Sequence, residues 1–426
     1  MAKIVVVGTG YVGLVTGIAL AEIGNYVHCI DIDENKIRLL NSGVPTIYEE
    51  NLEDLLLKNL KDKRISFTES YICVEDADFV FITVGTPEDK NGDANLTYIY
   101  NAIDEITKYV QNDTVIVMKS TVPLGTNEKI EKYIKNKVKD YTVDVISNPE
   151  FLAQGTAIND TLNASRIVLG INDEKIVDKV KKLYEPFNQP ILVMNRTSAE
   201  LVKYASNTFL ALKISFINEI ANLSDEIGAN IKDVTRGMSY DERIGAKFLN
   251  AGLGYGGSCF PKDTKALIKA AQRNNSSLLT INSTVDINER QKYKLLDKAK
   301  RKGYSLENNT IAILGLSFKP NTDDIREAPS ISNIQQLLDK GNKIHVFDPI
   351  VNDKVKKLFG DQLEYFKTPQ ECLKGTDLCF VFTEWKEIKE LEEKDFIVNM
   401  KRAVVFDGRN CLEFKSNNIA YYGIGI

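Results

Sequence analysis

The sequence predicts an α/β fold in which two parallel sheets flank a long helix. Short apolar runs rich in β-branched residues alternate with helical stretches at the start of the chain, and the same alternation returns near its end. Between these regions lies one extended helical pattern, TSAELVKYASNTFLALKISFINEIANLSDEIG. A chain of 426 residues is too long for one compact core, so two or three domains are expected.

Composition argues against several classes of partner. The formal net charge is −5 with no basic stripe, which disfavours binding to nucleic acid. No apolar run approaches the ~18 residues of a membrane-spanning helix, and the apolar stretch in MAKIVVVGTG is too short for a signal peptide. The cysteines form no CxxC pair and show no zinc spacing, so no metal is expected. We therefore expect a cytoplasmic protein with neither nucleic acid nor membrane among its partners.

The first segment predicts a strand, a glycine turn, a helix and a second strand. Residues 4–7 form an apolar run typical of a strand buried on both faces, and Gly8, Gly10 and Gly13 follow as GxGxxG. Such glycines let the backbone turn tightly beside a pyrophosphate at a helix N-terminus. The second strand ends at Asp31, where a carboxylate can bind a ribose 2′-hydroxyl and would repel a 2′-phosphate. The segment therefore predicts a Rossmann-type site for NAD rather than NADP.

Three further strands end in loops that carry polar side chains. The runs DADFVFITVGTP, NDTVIVMKSTVPLGT and YTVDVISNPEFLAQGTAI place Thr86, Thr121 and Glu150 after strand ends. Ligands of an open parallel sheet bind at the carboxyl ends of its strands, which favours a functional contact for at least one of these residues. The alternative is that the hydroxyls only cap turns or helices. Two interpretations are also open for Lys36, which either contacts the adenosine part of the cofactor or lies on a solvated helix face.

The long helical pattern begins near residue 197. Thr197 and Glu200 have the spacing of a capping box, and Gly228 is a natural stop. Apolar residues surround much of the helix, which predicts burial between domains or subunits. Lys203 and Asn207 interrupt that surface four residues apart, hence on one face. They are either a donor pair for developing negative charge or a snorkelling lysine beside an incidental asparagine.

The segment GLGYGGSCFPKD places a thiol beside flexible backbone. Four glycines lead to Cys259, and Pro261 marks the first turn of a following helix. A cysteine at a helix N-terminus next to a lysine, here Lys262, is in the setting that lowers a thiol pKa from about 8.5. A free cysteine is more often a small buried hydrophobe. The glycines and the lysine favour a reactive thiol, with the carboxylate of Asp263 within one helical turn.

A second α/β unit follows, with strands predicted in NNTIAILGLSFKP, NKIHVFDP, TDLCFVFTEW and RAVVFDGRN. It weakly echoes the first unit, IVVVGTG against IAILGLS, but has no GxGxxG. Lys319 and Arg326 in its first loop either bind phosphates or carboxylates or are solvated cations. His28 and His345 lie in apolar runs and are expected in the core, which leaves acid–base chemistry to other groups.

With these residues in view, the chain resembles the UDP-glucose 6-dehydrogenase family over essentially its whole length. The matching stretches are GTGYVGL, STVPLGT, NPEFL, VKYASNTFLALKISFINE, GYGGSCFPKDTKAL and LGLSFKPNTDDIREAPS. The resemblance implies an α/β fold of two Rossmann-like domains with parallel sheets, joined by a long central dimerisation helix. It implies an NAD-binding domain at 1–196, a central helical dimerisation and active-site domain at 197–300, and a UDP-sugar-binding domain at 301–426.

The resemblance also implies an activity, the NAD-dependent oxidation of UDP-glucose to UDP-glucuronate by a homodimer or larger homo-oligomer. Cys259 would be the nucleophile that carries a thiohemiacetal and then a thioester. Lys203 and Asn207 would stabilise the oxyanion. The residues that would assist proton transfer and hydrolysis are Asp263, Thr121 and Glu150.

Two sets of binding residues follow from the same resemblance. The NAD set is Gly8, Gly10, Val12, Gly13, Asp31, Lys36, Thr86, Thr121, Lys262 and Arg326. The substrate set is Glu150, Phe151, Leu152, Gln154, Lys203, Asn207, Arg243, Phe248, Leu249, Asn250, Gly252, Gly256 and Lys319. Within the substrate set, Arg243 would reach the substrate of a neighbouring subunit.

One position departs from the family pattern. Many members carry a second glutamate four residues after the position of Glu150, where this chain has Gln154. Glutamine can position a water molecule or a ribose but cannot accept a proton. A base role at that position is therefore not expected here.

Three alternatives remain open at this point. In the first alternative, the substrate is another nucleotide sugar, such as GDP-mannose or a UDP-N-acetylhexosamine. Against the N-acetyl sugars, Ser258 stands where relatives that use them tend to have a histidine. A two-electron dehydrogenase of the hydroxyacid type would share the helix with Lys203 and Asn207 but would need no cysteine nucleophile. An NAD-binding sensor without turnover would not require those two residues together with Cys259 and Asp263.

Overall fold

The computed structural model describes residues 1–88, 94–111, 113–139 and 142–426. Contacts divide the chain into two units, Met1–Ser206 and Asn207–Ile426. Within the described residues, no helix combines the length and the apolar character needed to cross a membrane.

The first unit is built on one mixed sheet. Its strands are β1 (Lys3–Val7), β2 (Tyr26–Ile30), β3 (Ile65–Thr68), β4 (Phe79–Ile82), β5 (Val115–Met118), β6 (Asp144–Ser147), β7 (Ile167–Gly170) and β8 (Ile191–Met194). Their spatial order is β3-β2-β1-β4-β5-β6-β7-β8, and neighbouring strands are parallel except β6 and β7. The first six strands follow the order typical of dinucleotide-binding sheets, which confirms the predicted Rossmann-like unit.

Helices cover both faces of this sheet. They are α1 (Tyr11–Glu22), α2 (Glu34–Asn41), α3 (Leu52–Lys61), α4 (Thr97–Ile106), α5 (Thr126–Lys137), α6 (Ala157–Leu162) and α7 (Val177–Tyr184), with short 3₁₀ turns at Tyr71–Val74, Glu174–Ile176 and Glu185–Phe187. Ile4 and Val6 belong to one buried apolar cluster, and Val5 and Val7 belong to another. Successive strand side chains point to opposite faces, so the continuous apolar run of β1 serves two cores.

The long central helix is α8 (Arg196–Ile227), with 32 residues. It ends as predicted, because the next residue, Gly228, adopts a φ of +77° that favours glycine and stops the helix.

The predicted capping box of this helix is wrong. The side chain of Asn195 accepts a hydrogen bond at 2.8 Å from a main-chain N–H in the first turn, so the cap lies two residues before Thr197. The carboxylate of Glu200 instead accepts from the main-chain N–H groups of Gly125 at 2.6 Å and Asn127 at 3.1 Å. A tertiary contact therefore takes the glutamate that the local pattern assigned to the helix end.

The second unit repeats the Rossmann-like arrangement. Its strands are β9 (Thr310–Leu314), β10 (Lys343–Phe347), β11 (Leu363–Tyr365), β12 (Leu378–Val381), β13 (Val404–Asp407) and β14 (Ala420–Tyr422). They are all parallel and lie in the order β11-β10-β9-β12-β13-β14. This order matches that of the first six strands of the other sheet, so the weak sequence echo corresponds to a real structural repeat.

The helices of the second unit include two that frame residues 252–259, the glycine-rich segment that ends at Cys259 and that we call the thiol loop. They are α9 (Ile231–Ser239), α10 (Phe260–Arg273), α11 (Leu279–Gln291), α12 (Lys294–Arg301), α13 (Pro329–Leu338), α14 (Asn352–Phe359), α15 (Pro369–Leu373), α16 (Lys386–Lys389) and α17 (Glu393–Asn399), with a 3₁₀ turn at Gly360–Gln362. Helices α10 and α11 are the two that frame the loop, because α10 begins directly after Cys259 and α11 follows it in the chain.

The two histidines have different environments. His345 on β10 is buried, and its Nδ1 lies 3.0 Å from the carbonyl oxygen of Cys372, as expected for a core residue. His28 on β2 is exposed beside Ser66, so the core prediction is wrong for it. Along β2 the exposed positions alternate with buried ones, and His28 shares the uncovered face with Tyr26.

Candidate active site

The glycine turn after β1 has the geometry that a dinucleotide requires. A Cβ on Gly13 would lie 1.8 Å from the carbonyl oxygen of Gly8, so the turn and α1 pack too closely for any other residue there. A Cβ on Gly10 would meet nothing within 4 Å, which leaves the start of α1 open to a phosphate. The residues present therefore fit the pyrophosphate of NAD, with Val12 in the first turn of the helix.

Asp31 lies beside this turn. Its Oδ2 accepts hydrogen bonds from the main-chain N–H of Thr9 at 2.8 Å and from the Thr9 hydroxyl at 2.5 Å, and Lys36 Nζ is 3.8 Å away. Burial raises the pKa of Asp31, but the hydrogen bonds from Thr9 and Asp33 and the charge of Lys36 together hold it below its ordinary value. The residue is therefore a carboxylate at neutral pH, as an acceptor for ribose hydroxyls should be.

Hydroxyl groups connect the strand ends around the turn. The Thr86 hydroxyl donates to the carbonyl oxygen of Thr121 at 2.9 Å, so two residues of the predicted NAD set join the loops after β4 and β5. Thr83 donates to the carbonyl oxygen of Gly8 at 2.9 Å, and Ser120 donates to the main chain after β4 at 2.7 Å. The sequence analysis missed Thr83 and Ser120, although hydroxyls directly after buried strands were the available signal.

Lys203 and Glu150 form a buried ion pair in the first unit. Lys203 Nζ donates to Glu150 Oε1 at 2.6 Å and to the carbonyl oxygen of Glu150 at 2.7 Å. The other carboxylate oxygen of Glu150 accepts from the N–H of Leu152 at 2.9 Å, which fixes the start of the predicted substrate loop. The centre of the Phe151 ring lies 4.0 Å from the guanidinium of Arg166 and 5.8 Å from Lys203 Nζ. The predicted donor Lys203 and the predicted catalytic carboxylate Glu150 are therefore direct hydrogen-bond partners.

A small cavity of about 60 Å³ lies beside Glu150. Lys119 and Glu150 are among the residues that line it, and Lys119 Nζ donates to Asn148 Oδ1 at 2.9 Å. The same oxygen accepts from Tyr184 at 2.6 Å. Burial lowers the pKa of Lys119 to about 8, with Glu150 opposing the shift. No sequence pattern singled out this lysine beyond its place after β5.

The predicted nucleophile lies at the start of α10. Cys259 is the N-cap residue and is partly exposed, and its main-chain carbonyl accepts the N–H of Asp263 at 2.8 Å. The carboxylate of Asp263 is buried and accepts from Asn207 at 2.7 Å and from Lys262 at 2.8 Å. Four of the predicted site residues of the second unit therefore come together around one helix N-terminus, where the helix dipole favours a thiolate.

The thiol loop also contacts the loop that follows β9. The N–H of Gly257 donates to the carbonyl oxygen of Arg326 at 2.8 Å, and Gly257 has a φ of +77° with the Phe318 ring packed against it. The bidentate hydrogen bonds from Arg326 to Asp324 raise the pKa of the guanidinium, and the thiolate charge of Cys259 contributes in the same direction. Because that attraction is mutual, Arg326 favours the anionic form of the thiol.

Three buried amides hold the preceding part of the loop, and the sequence analysis missed all of them. Asn218 Oδ1 accepts from the N–H of Gly252 at 2.8 Å, and Gln291 donates to its carbonyl oxygen at 2.7 Å. Asn288 binds both main-chain groups of Tyr255, accepting at 2.7 Å and donating at 3.0 Å. We call Asn218, Asn288 and Gln291 the amide clamp. Only their position on buried helix faces distinguished them in the sequence.

An open cavity of about 530 Å³ lies beside the clamp in the second unit. Its lining includes Phe248, Asn250 and Gly252 of the predicted substrate set. It also includes Arg409, which the sequence analysis missed although it stands two residues after β13, at the carboxyl end of a parallel strand. Arg409 also donates to the carbonyl oxygens of Phe382 and Phe318 at 2.7 and 2.9 Å. Lys247 is a second cation of the lining, and the two cations together suit a phosphorylated ligand.

The other predicted substrate residues of this unit have separate contacts. Leu249 is 3% exposed and belongs to the core, and Gly256 packs directly against a loop carbonyl. Lys319 lies 5.6 Å from the ring of the preceding phenylalanine. Arg243 is exposed and pairs with Asp241 at 2.6 Å.

The predicted residues divide between the two units. The first unit carries Gly8, Gly10, Val12, Gly13, Asp31, Lys36, Thr86, Thr121, Glu150, Phe151, Leu152, Gln154 and Lys203, and the second carries Asn207, Arg243, Phe248, Leu249, Asn250, Gly252, Gly256, Cys259, Lys262, Asp263, Lys319 and Arg326. Each unit therefore holds one donor–carboxylate pair, Lys203 with Glu150 in the first and Asn207 with Asp263 in the second.

Three family models match successive parts of the chain. Residues 2–188 match the NAD binding domain of the UDP-glucose/GDP-mannose dehydrogenase family, residues 197–290 match its central domain, and residues 312–414 match its UDP binding domain. The glycine turn lies within the first match, so the cofactor is NAD. The cavity residue Arg409 lies within the third.

Individual relatives agree with this assignment over their full length. The chain is 46% identical to a UDP-glucose 6-dehydrogenase of Bacillus subtilis, covering 99% of this chain and 97% of the relative, and 41% identical to that of Rhizobium meliloti, covering 99% and 98%. A UDP-glucose dehydrogenase structure from Pyrobaculum islandicum superposes with a TM-score of 0.93 at 36% identity, covering 100% of this chain and 98% of that one. From these matches we conclude that the chain belongs to the UDP-glucose/GDP-mannose dehydrogenase family.

Proposed function

We propose that this enzyme oxidises UDP-glucose to UDP-glucuronate in two successive steps, with two molecules of NAD⁺ accepting the hydrides. The observation that carries the proposal is the arrangement at α10, where Cys259 stands at a helix N-terminus beside the Asn207–Asp263 pair. A dehydrogenase that stopped at the first oxidation would need no such thiol. The names of the relatives at 46% and 41% identity supply the sugar nucleotide.

The role of Cys259 is to hold the intermediate between the two oxidations. After the C6 alcohol has become an aldehyde, the thiolate sulfur adds to its carbonyl carbon and forms a thiohemiacetal. Loss of the second hydride converts that adduct into a thioester. Water then adds to the thioester carbonyl, the C–S bond breaks, and the carboxylate and the free thiol result.

The neighbouring groups manage the charge and the protons of these steps. Lys203 and Asn207 donate hydrogen bonds to the oxygen at C6, which carries negative charge as each tetrahedral species forms. Thr121 helps to position the water, and the carboxylates of Asp263 and Glu150 receive its protons. Gln154 contributes only hydrogen bonds, because an amide does not accept a proton.

The two ligands are assigned to different units. NAD is held by the turn at Gly8 and Gly10 with Asp31, and the nucleotide of the substrate is held in the cavity beside Asn250 and Arg409. The open 530 Å³ volume and the cationic lining support the second assignment.

We also propose a homodimer formed through α8. Four large apolar residues between positions 209 and 227 stay exposed, Phe209 at 61%, Phe216 at 45%, Leu223 at 53% and Ile227 at 66%. Their spacing of seven, seven and four residues places them on one stripe of the helix. An apolar stripe of this length on an exposed helix face is suited to a second copy of the chain.

The test of the activity is the NADH yield per molecule of limiting UDP-glucose with excess NAD⁺. We expect two NADH and UDP-glucuronate as the sole product. One NADH with released aldehyde would contradict the role of Cys259 as the carrier of the intermediate. No NADH with UDP-glucose would contradict the proposed substrate.

A second candidate substrate is a UDP-N-acetylhexosamine. A structure described as a UDP-D-ManNAc dehydrogenase from Pyrococcus horikoshii superposes with a TM-score of 0.89 at 26% identity, covering 99% of each chain. The higher identity of the UDP-glucose relatives favours UDP-glucose. Parallel assays with UDP-N-acetylmannosamine and GDP-mannose distinguish the candidates through kcat/KM.

A further inference from the structure

Glu49 is a buried carboxylate that lies between the cofactor turn and the substrate loop of the first unit. It is 8% exposed and belongs to the connection between α2 and α3. Its Oε1 accepts the main-chain N–H of Ala157 at 2.6 Å, and its Oε2 accepts that of Gly155 at 2.8 Å. These two donors close the loop 150–155, which carries the proposed substrate contacts Glu150 to Gln154.

The same carboxylate is joined to the cofactor turn. The hydroxyl of Tyr11 donates a hydrogen bond to Glu49 Oε2 and also accepts the N–H of Gly155 at 3.0 Å. Tyr11 is the first residue of α1 and follows Gly10 directly. One hydrogen-bond cluster therefore contains the start of the helix that receives the NAD pyrophosphate and the end of the loop that receives the sugar.

We propose that Glu49 is a positioning residue that couples cofactor binding to substrate binding, an inference that rests on the proposed function. The ligand that binds first restricts the backbone on one side of this hydrogen-bond cluster. The hydrogen bonds to Glu49 then restrict the backbone on the other side as well. The second ligand then has less backbone to order, so each ligand tightens the binding of the other.

The three donors that define this role of Glu49 are all neutral. Two are main-chain N–H groups and the third is a phenol. An ionised carboxylate accepts from all three with two oxygens, whereas an amide offers one oxygen and turns its NH₂ towards a donor. Glu49→Gln therefore keeps the volume of the side chain and disrupts the link.

The experiment measures the dissociation constant of NADH by fluorescence, with and without saturating UDP-glucose. NADH replaces NAD⁺ because it forms a ternary complex without turnover. We expect UDP-glucose to tighten NADH binding to the wild type by roughly fivefold or more. In Glu49→Gln the effect should fall to less than about twofold, while NADH alone still binds.

Two further variants separate coupling from stability. Asp377→Asn is the matched control, because this carboxylate also accepts a main-chain N–H, that of Thr310, but at the amino end of the second sheet. It should keep the wild-type ratio. Tyr11→Phe removes only the hydroxyl, so it should lower the ratio even if Glu49→Gln fails to fold, and the double variant should lower it no further than Glu49→Gln alone.

The outcomes distinguish this inference from the proposed function. An unchanged NADH ratio in Glu49→Gln or in Tyr11→Phe would overturn the coupling, as would a wild-type ratio of one with both ligands bound. A wild type that binds NADH but not UDP-glucose contradicts the proposed substrate instead, and the titration is then repeated with the nucleotide sugar that binds.

Discussion

Single residues of the candidate site are held by partners that lie far away in the sequence. Lys203 is paired with Glu150, 53 residues earlier, and Asn207 with Asp263, 56 residues later. A buried cation without a partner is strongly destabilising, and a buried amide needs an acceptor. These pairs satisfy both needs and leave each donor next to a carboxylate.

The thiol of Cys259 gives the first prediction. Replacing it as Cys259→Ser should lower the yield of UDP-glucuronate by at least ~100-fold, because an alkoxide is a poorer carrier for the second oxidation at neutral pH. The measurement is product formation by chromatography, together with trapping of released aldehyde by hydroxylamine.

Cys73→Ser is the control for this change. Its thiol is also partly exposed, but burial raises its pKa to about 11, so it is a poor nucleophile at neutral pH. This variant should behave as the wild type. Full UDP-glucuronate formation by Cys259→Ser would rule out the thioester route.

Lys119 gives a prediction on pH. Its pKa is lowered to about 8, below the ordinary value of 10.5, so the folded protein binds this proton less tightly than the unfolded chain does. The charging cost is therefore fully present below pH 8 and is relieved as the pH rises from about 8 towards 10.5. Lys119→Met should raise the thermal midpoint at pH 7, and the difference from the wild type should shrink by pH 10.

Tyr184 prevents a complication in this test. In Lys119→Met the oxygen of Asn148 keeps its hydrogen bond from Tyr184, so no acceptor is left buried without a donor. Thermal scans of both proteins at pH 7, 9 and 10 make the comparison. A gain in stability that is equal at all three values would show that Lys119 does not titrate in this range.

Secondary-structure elements fix the position of the thiol loop. Helix α8 supplies Asn218, and α11 supplies Asn288 and Gln291, so the amide clamp holds Gly252 and Tyr255 before the chain reaches Cys259 at the start of α10. A glycine-rich loop has many accessible conformations. The clamp removes that freedom through main-chain hydrogen bonds, which do not depend on the loop side chains.

The clamp therefore predicts an effect on the thiol from a distance. Asn288→Ala leaves the N–H and the carbonyl of Tyr255 without these partners and should cost about 1–3 kcal/mol in stability. It should also change the rate of iodoacetamide labelling of Cys259 by several-fold, because the loop no longer holds one conformation. Peptide mass spectrometry identifies the labelled site.

A second buried asparagine serves as the matched control. Asn342 is 6% exposed and binds the main-chain carbonyls of Leu306 and Leu337 at 2.8 and 2.7 Å, away from the thiol loop. Asn342→Ala should lose similar stability without altering the labelling rate. Equal labelling changes in the two variants would mean that general destabilisation, rather than the clamp, controls the thiol.

The whole molecule contains two Rossmann-like units that are alike in strand order but not in their turns. The first has GxGxxG and an acidic residue placed for a ribose. In the second, the corresponding Asp348 accepts hydrogen bonds from the N–H groups of Leu316 and Ser317 and from the indole of Trp385. Asp348 accepts more hydrogen bonds from the chain than Asp31 does, and the turn before it has no GxGxxG, so we do not expect NAD to bind the second unit in the same way.

The exposed stripe on α8 gives a prediction at this scale. Phe216→Asp combined with Leu223→Asp places two charges on the proposed interface, and we expect the assembly to dissociate in sedimentation velocity at micromolar concentration. Leu358→Asp, at a residue 59% exposed on α14, is the control and should leave the assembly unchanged. A wild type that is monomeric, or a double variant that remains assembled, would refute the interface on α8.

Local patterns in the sequence were sufficient to predict the secondary-structure elements and the candidate site residues near strand ends. The apolar run of β1, the three glycines and Asp31 all lie within one stretch of the chain, so spacing alone predicted their turn and its ligand. Cys259, Lys262 and Asp263 were equally accessible, because they share one helical turn. The repeat of the Rossmann-like unit was visible as a weak echo of two strands.

Contacts between distant segments were decided only by the tertiary structure. Glu200 has the spacing of a capping residue but binds a turn 73 residues away, and Glu49 closes a loop more than 100 residues later in the chain. No sequence period or motif predicts either contact, because the packing of the helices against the sheet decides which donor each carboxylate binds. The sequence by itself therefore determined the fold class and the cofactor and predicted the reactive groups, and packing determined which partners hold those groups in place.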